Sequence, residues 1–322
     1  MIKTVSDSQN MISSINNFPN NNINNFETRL KAQHQQKHMD KPSSCDKGMN
    51  EEESCVCKPS ETNIQKNFVY AIGKIKPKFP SIGIEKEYFQ VVGRTDTAGQ
   101  TDYEVMKTAL SKKENQYLLR QMCWVLSIGG IDTYILKPSN SIDFNLLAES
   151  LTSPRNTYVD VVIGTRGPIA PPTMCDGLMV PIVDFEQIYS LDVATLMKTL
   201  PKPADKAKEG KDDSAKSKEL LHRIMQMADN VGATDEHRSI NYLAVRYPAY
   251  YEKTTEMHDK DFSLFAIEVK TSRLSGSRKI LDCIFTYTNR KTGINEKWFC
   301  RVDSTELFPF LVTPISPYYD RE

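Results

Sequence analysis

No run of the 322 residues approaches the roughly 18 consecutive apolar positions that a membrane-spanning helix requires, so no membrane partner is expected. Met1 to Asn25 contains no apolar core of the kind a secretory signal carries, which makes the cytoplasm the expected location. Net charge is also missing. Lys plus Arg and Asp plus Glu both number 41, the formal charge is zero and the sequence pI is about 7.0. That balance argues against phosphate-led binding, and no nucleic-acid partner is expected. The chain has no Gly-x-Ser-x-Gly motif and no glycine-rich phosphate loop. Its five histidines offer no evident base for a nucleophile: His34 and His38 sit in a polar N-terminal stretch, and His222, His237 and His258 fall on charged predicted helices. Seven cysteines is an odd number, and without an export signal free thiols or metal ligands are expected ahead of a disulfide framework.

Residues 1–67 are poor in aromatics, holding only Phe18 and Phe26 of the chain's 29, but rich in Asn, with seven between Asn16 and Asn25. Such a segment buries too little apolar surface to offset a backbone ordering cost of about 1 to 2 kcal/mol per residue, and it reads as a disordered tail. From Phe68 onward the pattern changes. A β-former run spans Phe68 to Ile75, and Ser81 caps a predicted helix carrying Ile82, Ile84, Tyr88, Phe89 and Val92. Thr101 with Glu104 matches a capping box at the head of a helix over 102–110. Cys123 to Ile128, Gly129-Gly130 and Ile131 to Leu136 predict a hairpin, because Gly-Gly supplies the positive φ of a tight turn. A short helix over 143–151, a strand over 158–164, a Pro- and Gly-rich loop over 166–177 and a strand over 180–189 follow, and Asp192 is read as the cap of a helix to Leu200.

Residues 201–217 are mostly Lys, Asp, Glu, Ala and Ser, with two prolines and a glycine and no aromatic, the composition of a solvated linker. Helices are expected over 218–230 and 236–251, the second broken near Pro248, and period-two strands over 263–269, 280–287 and 297–302. The expected class is α+β: a tail over 1–67, a first helix-plus-antiparallel-sheet subdomain over 68–200, a linker over 201–217, and a second over 218–322 ending in a β-meander.

Five strings stand out in the portion after the tail: Phe68 to Pro80, Arg94 to Asp102, Val162 to Cys175, Asn241 to Pro248 and Phe310 to Arg321. In order, they resemble the C-terminal domain of the cyanobactin (patellamide-type) maturation protease PatG, over Phe68 to Arg321. That resemblance implies a place in the maturation of ribosomally made, post-translationally modified peptides. It does not carry over peptidase activity, because the subtilisin-like protease motifs are not found. The domain's own role in that family is unassigned; with no nucleophile–base pair and no phosphate loop in the sequence, the expectation is a non-catalytic accessory domain whose partner is a precursor peptide, a maturation protease or a modifying enzyme. The rival readings are an unrecognised peptide-modifying enzyme using the Cys175 loop and a self-associating scaffold, that is, a homo-oligomer.

Three groups of residues are candidates for chemistry. Cys45, Cys55 and Cys57 could supply thiolates to Zn²⁺, although the Cys-x9-Cys-x-Cys spacing is neither a ribbon nor a finger, and no cofactor is required by the reading. Cys175 and Asp176 sit in the proline-stiffened loop, where a thiol and a carboxylate can be held out to a ligand; a structural loop is the blander alternative. Arg166, in the same loop, has the fork geometry to take a peptide carboxylate, or to pair with a neighbouring acid. Cys283 and Cys300 are expected opposite one another as core thiols, and Cys123 and Trp124 as core.

Overall fold

The computed structural model describes residues 67–93, 99–140, 143–151, 158–192 and 230–319. The N-terminal tail, the linker over 201–217, the predicted helices after Asp192 and before Asn230, and Cys45, Cys55 and Cys57 lie outside the described residues. The chain divides at Thr62, and Asn63–Glu322 is one compact unit. Within it the described residues form six α-helices and two sheets, an α+β fold.

The first sheet is a closed barrel of β1 (Phe68–Lys78), β2 (Cys123–Ile128), β3 (Ile131–Pro138), β4 (Tyr158–Ile169) and β5 (Pro181–Asp192), in the order β1-β2-β3-β5-β4. All pairings are antiparallel except β3 with β5, whose parallel register closes the barrel. Period-two alternation sorts its side chains. Val69, Ala71, Trp124, Leu126, Tyr134, Leu136, Val162, Val183 and Phe185 share the interior cluster, while Tyr70, Ile72, Val161 and Ile163 belong to a second one. Closure needs backbone contact too tight for a side chain at one bulge: a Cβ on Gly164 would sit 2.3 Å from the carbonyl oxygen of Asp184.

Four helices complete the interior cluster: α1 (Ile82–Val92), α2 (Asp102–Ser111) and α3 (Gln116–Gln121) between β1 and β2, and α4 (Phe144–Ser150) between β3 and β4. They contribute Leu110, Leu118, Leu119, Leu147 and Ala148, and burying each leucine is worth about 1.5 to 3 kcal/mol. The predicted capping box is present, with Thr101 Oγ1 accepting from Glu104 N and the Glu104 carboxylate accepting from Thr101 N. Trp124 is core as expected, its indole N–H donating to the Leu119 carbonyl at 3.0 Å.

The second sheet is an open meander of β6 (Phe262–Thr271), β7 (Ile280–Asn289), β8 (Asn295–Asp303) and β9 (Phe310–Pro317). The first three were expected; β9 was not, because Pro314 and Pro317 interrupt its pattern. An edge strand tolerates them, since one row of its N–H groups faces away from the ladder. Preceding the sheet are α5 (Asp235–Arg246) and α6 (Pro248–Asp259). The break expected near Pro248 is a helix junction at Tyr247, with proline in the first turn of the second helix, where its missing N–H costs nothing.

One core joins the halves. The second cluster unites β1 and β4 with Ile240, Leu243 and Ala244 of α5, Tyr250 and Tyr251 of α6, and Phe285 and Val302 of the meander. A polar seam runs through it. Arg238, 1% exposed, donates to the carbonyls of Ser304, Glu306 and Leu307 and pairs with Asp235. Asn241 donates to the Tyr70 carbonyl at 2.8 Å, and the Tyr70 N–H donates to the Gly232 carbonyl at 2.9 Å. Gly232 has φ of 71°, and a Cβ there would lie 2.4 Å from the Tyr70 carbonyl oxygen.

Candidate functional site

The Pro- and Gly-rich connection between β4 and β5 folds back on the barrel instead of standing away from it. Cys175 is buried and bonded to Cys123 at the start of β2, with a Cα–Cα distance of 5.6 Å. The expectation of free thiols therefore fails at these two residues. Their separation of 52 positions gives no local signal, and the pairing exists only because the loop returns to β2. Cys283 and Cys300 behave as expected: they are paired across β7 and β8, fully buried and free.

The loop has an unusual backbone. Cys175, Asp176 and Gly177 have φ of 52°, 54° and 81°, three successive residues in the left-handed region, two of them with a Cβ. Short hydrogen-bonded turns hold it: Met174 N–H to the Pro171 carbonyl at 2.9 Å, Gly177 N–H to Met174 at 3.1 Å and Leu178 N–H to Cys175 at 3.2 Å. Ala170 N–H donates to the Val180 carbonyl at 2.9 Å, closing the base of the loop.

Between this loop and the end of β1 lies an open cleft of about 290 Å³, lined by Lys78, Phe79, Cys175, Asp176, Gly177 and Leu178. One wall is apolar. Phe79 packs on Tyr88 and Phe89 of α1, with ring centroids 5.3 and 6.4 Å apart, and Phe89 is 57% exposed. Met179, next to Leu178, is 60% exposed. The polar groups are the Lys78 ammonium, ion-paired with Asp132, and the exposed Asp176.

The cleft gathers Cys175 and Asp176 but leaves Arg166 out. Arg166 is exposed on β4 and its backbone N–H donates to the Asn67 carbonyl at 2.7 Å. Burial raises the Tyr134 phenol pKa, and the Arg166 charge offsets part of that rise. Lys78 and Phe79 were not singled out in the sequence; they become site residues only because a loop far later in the chain, at Cys175 to Leu178, closes over the end of β1. The four tyrosines between 242 and 251 on α5, its junction and α6 do not form an open aromatic face. Tyr250 and Tyr251 are core, while the Tyr242 and Tyr247 hydroxyls accept from the N–H groups of Leu311 and Ile315 on β9. Among the described residues no three His, Cys, Asp or Glu side chains are placed to hold a metal ion.

The strand order and the helix between β3 and β4 define a five-stranded Greek-key barrel, here with an antiparallel meander packed on it. The family described as PatG C-terminal matches residues 207–318. A solved structure described as the PatG domain of unknown function is similar to this fold, with a TM-score of 0.62 and 19% identity, covering 79% of this chain and 99% of that one. No curated protein matches. The chain thus carries a PatG C-terminal-type domain. No helix among the described residues is long and apolar enough to cross a membrane.

Proposed function

We propose that this chain is a non-catalytic interaction domain in the cytoplasmic biosynthesis of cyanobactin-like peptides, and that the cleft between β1 and the β4–β5 loop takes an extended segment of precursor peptide. The observation that carries the reading is the position of the cleft. Five-stranded Greek-key barrels bind extended oligomers with the β2–β3 face and the loops after β1 and β4, and this cleft is made by those two loops. The zero net charge and the apolar Phe79 wall suit a peptide better than a polyphosphate backbone. A fold does not by itself assign a ligand, so the peptide comes from the PatG-type match. The alternative of a Cys175 nucleophile is not favoured, since that sulfur carries no thiol as long as its bond to Cys123 stands.

Fluorescence anisotropy with a labelled precursor peptide tests the reading. Binding is expected, weakened at least about tenfold by Phe79→Ala, a change of about 1.4 kcal/mol. The peptide should keep its mass on prolonged incubation. A change of mass, or affinity indifferent to Phe79→Ala, would overturn it.

A further inference from the structure

The outer face of β2 and β3 is covered by the chain itself. Val125 and Ile135, paired across these strands, point into a small cluster with Cys123, Ala170 and Cys175, to which Met174, Leu178, Val180 and Ile182 add their side chains. This cluster is separate from the two larger ones. The β4–β5 segment is therefore a strap lying on the face with which such barrels meet their ligands. Apart from a small apolar patch and its own turns, one covalent link holds it: Cys123–Cys175. The left-handed run at Cys175 and Asp176 begins at the bonded cysteine, and it is a backbone state that side chains with a Cβ leave when nothing enforces it.

We propose that Cys123–Cys175 is a thiol-operated latch, and that its reduction releases residues 171–180 from the β2–β3 face. The cleft supplies the approach, because Cys175 lines it and Cys123 does not. A dithiol reductant attacks the Cys175 sulfur as a thiolate, forming a mixed disulfide and breaking the bond to Cys123, which leaves as a thiolate and takes up a proton. The reductant's second thiol then displaces Cys175. The protein gains two electrons and two protons, and the reductant ends as a disulfide. With the bond gone, Cys175 and Asp176 relax from positive φ, and Val125 and Ile135 become accessible. In a reducing compartment a protein disulfide, where one is present, is usually of the redox-sensing or catalytic kind. This latch goes beyond peptide binding and does not require it.

Hydrogen exchange read by mass spectrometry on the full chain, with and without dithiothreitol, tests the latch without a ligand. In the oxidised protein Cys123 and Cys175 are recovered linked. After reduction, the Gly177 and Leu178 amides are expected to exchange at least about tenfold faster, while β7 and β8 keep their protection. Iodoacetamide should then label Cys123 and Cys175 but spare the fully buried Cys283 and Cys300. The Cys123→Ser, Cys175→Ser double variant should exchange like the reduced protein. Unchanged exchange in the loop, loss of protection throughout the barrel on reduction or in the variant, or recovery of Cys123 and Cys175 as free thiols before reductant is added would each overturn the proposal.

Discussion

The barrel and the meander solve the problem of sheet edges in opposite ways. Closure leaves the barrel with no edge, but an apolar outside that must be covered: the β1–β4 side by α5, α6 and the meander, and the β2–β3 side by the strap. The meander stays open. Its edge strands β6 and β9 are blunted by the Glu268–Lys270 ion pair on one and by Pro314 and Pro317 on the other. The two cysteine pairs follow the same division. Cys283 and Cys300 are direct cross-strand partners, yet unbonded, because the pleat holds opposed Cβ atoms about 4.5 to 5.5 Å apart while a disulfide takes about 3.8 Å. Cys175 sits on a loop whose backbone can bend to meet Cys123, and it does so at the cost of positive φ. Register alone brings thiols together; freedom of the backbone lets them join.

Three perturbations sharpen this contrast. The largest effect is expected from reducing the disulfide. With 52 positions between its cysteines, loop-closure reasoning gives about 4 kcal/mol. Denaturant melts should show close to that loss, and thermal melts a fall of about 10 °C. Cys283→Ala should not alter the response to reductant, since that thiol is already free. An equal response to reductant in the Cys123→Ser, Cys175→Ser background would show that the effect arises elsewhere.

Next comes the seam between barrel and meander. Arg238→Ala removes the donor to the carbonyls of Ser304, Glu306 and Leu307 and leaves Asp235 with Lys279 alone for a partner. A loss of about 3 kcal/mol is expected in urea melts, because buried acceptors are left without donors. If the halves were independent units, the melt would instead split into two transitions of which one is unshifted.

The smallest effect is a pH dependence inside the barrel. Asp160 is buried on β4, accepting from Ile75 N–H at 2.7 Å and from the Ser190 hydroxyl. Burial pushes its pKa above the ordinary carboxylate value, only partly offset by those bonds and by the Lys74 charge. A raised folded pKa means that the folded protein holds the proton more tightly, so this group adds stability at low pH, and loses it as pH rises through the folded value. The stability difference between the parent and Asp160→Asn should therefore shift toward the parent as pH falls from neutral through that value. A difference that is flat with pH would mean the carboxyl titrates as it does in the unfolded chain.

Much of the fold was legible locally. The Thr101–Glu104 box, the Gly129-Gly130 turn and the alternation from 280 to 287 each depend on neighbours in sequence, and each stands where it was expected. The position of Cys283 opposite Cys300 followed from the same period-two arithmetic. Sequence could not show β9, whose prolines suit only an edge, nor that α6 runs on to Asp259. It also grouped Arg166 with Cys175 because they share a loop, whereas the cleft takes Cys175 and Asp176 without it.

What the amino-acid order determines by itself is the set of elements and their inner and outer faces, because propensity, capping and periodicity act over a few residues. Tertiary structure alone decided that the first five strands close on themselves through the parallel β3–β5 pair, and that a loop beginning after Ile169 returns to Cys123. Both are contacts between distant parts of the chain, fixed by burying one shared core and by the geometry of closure. No local pattern encodes them.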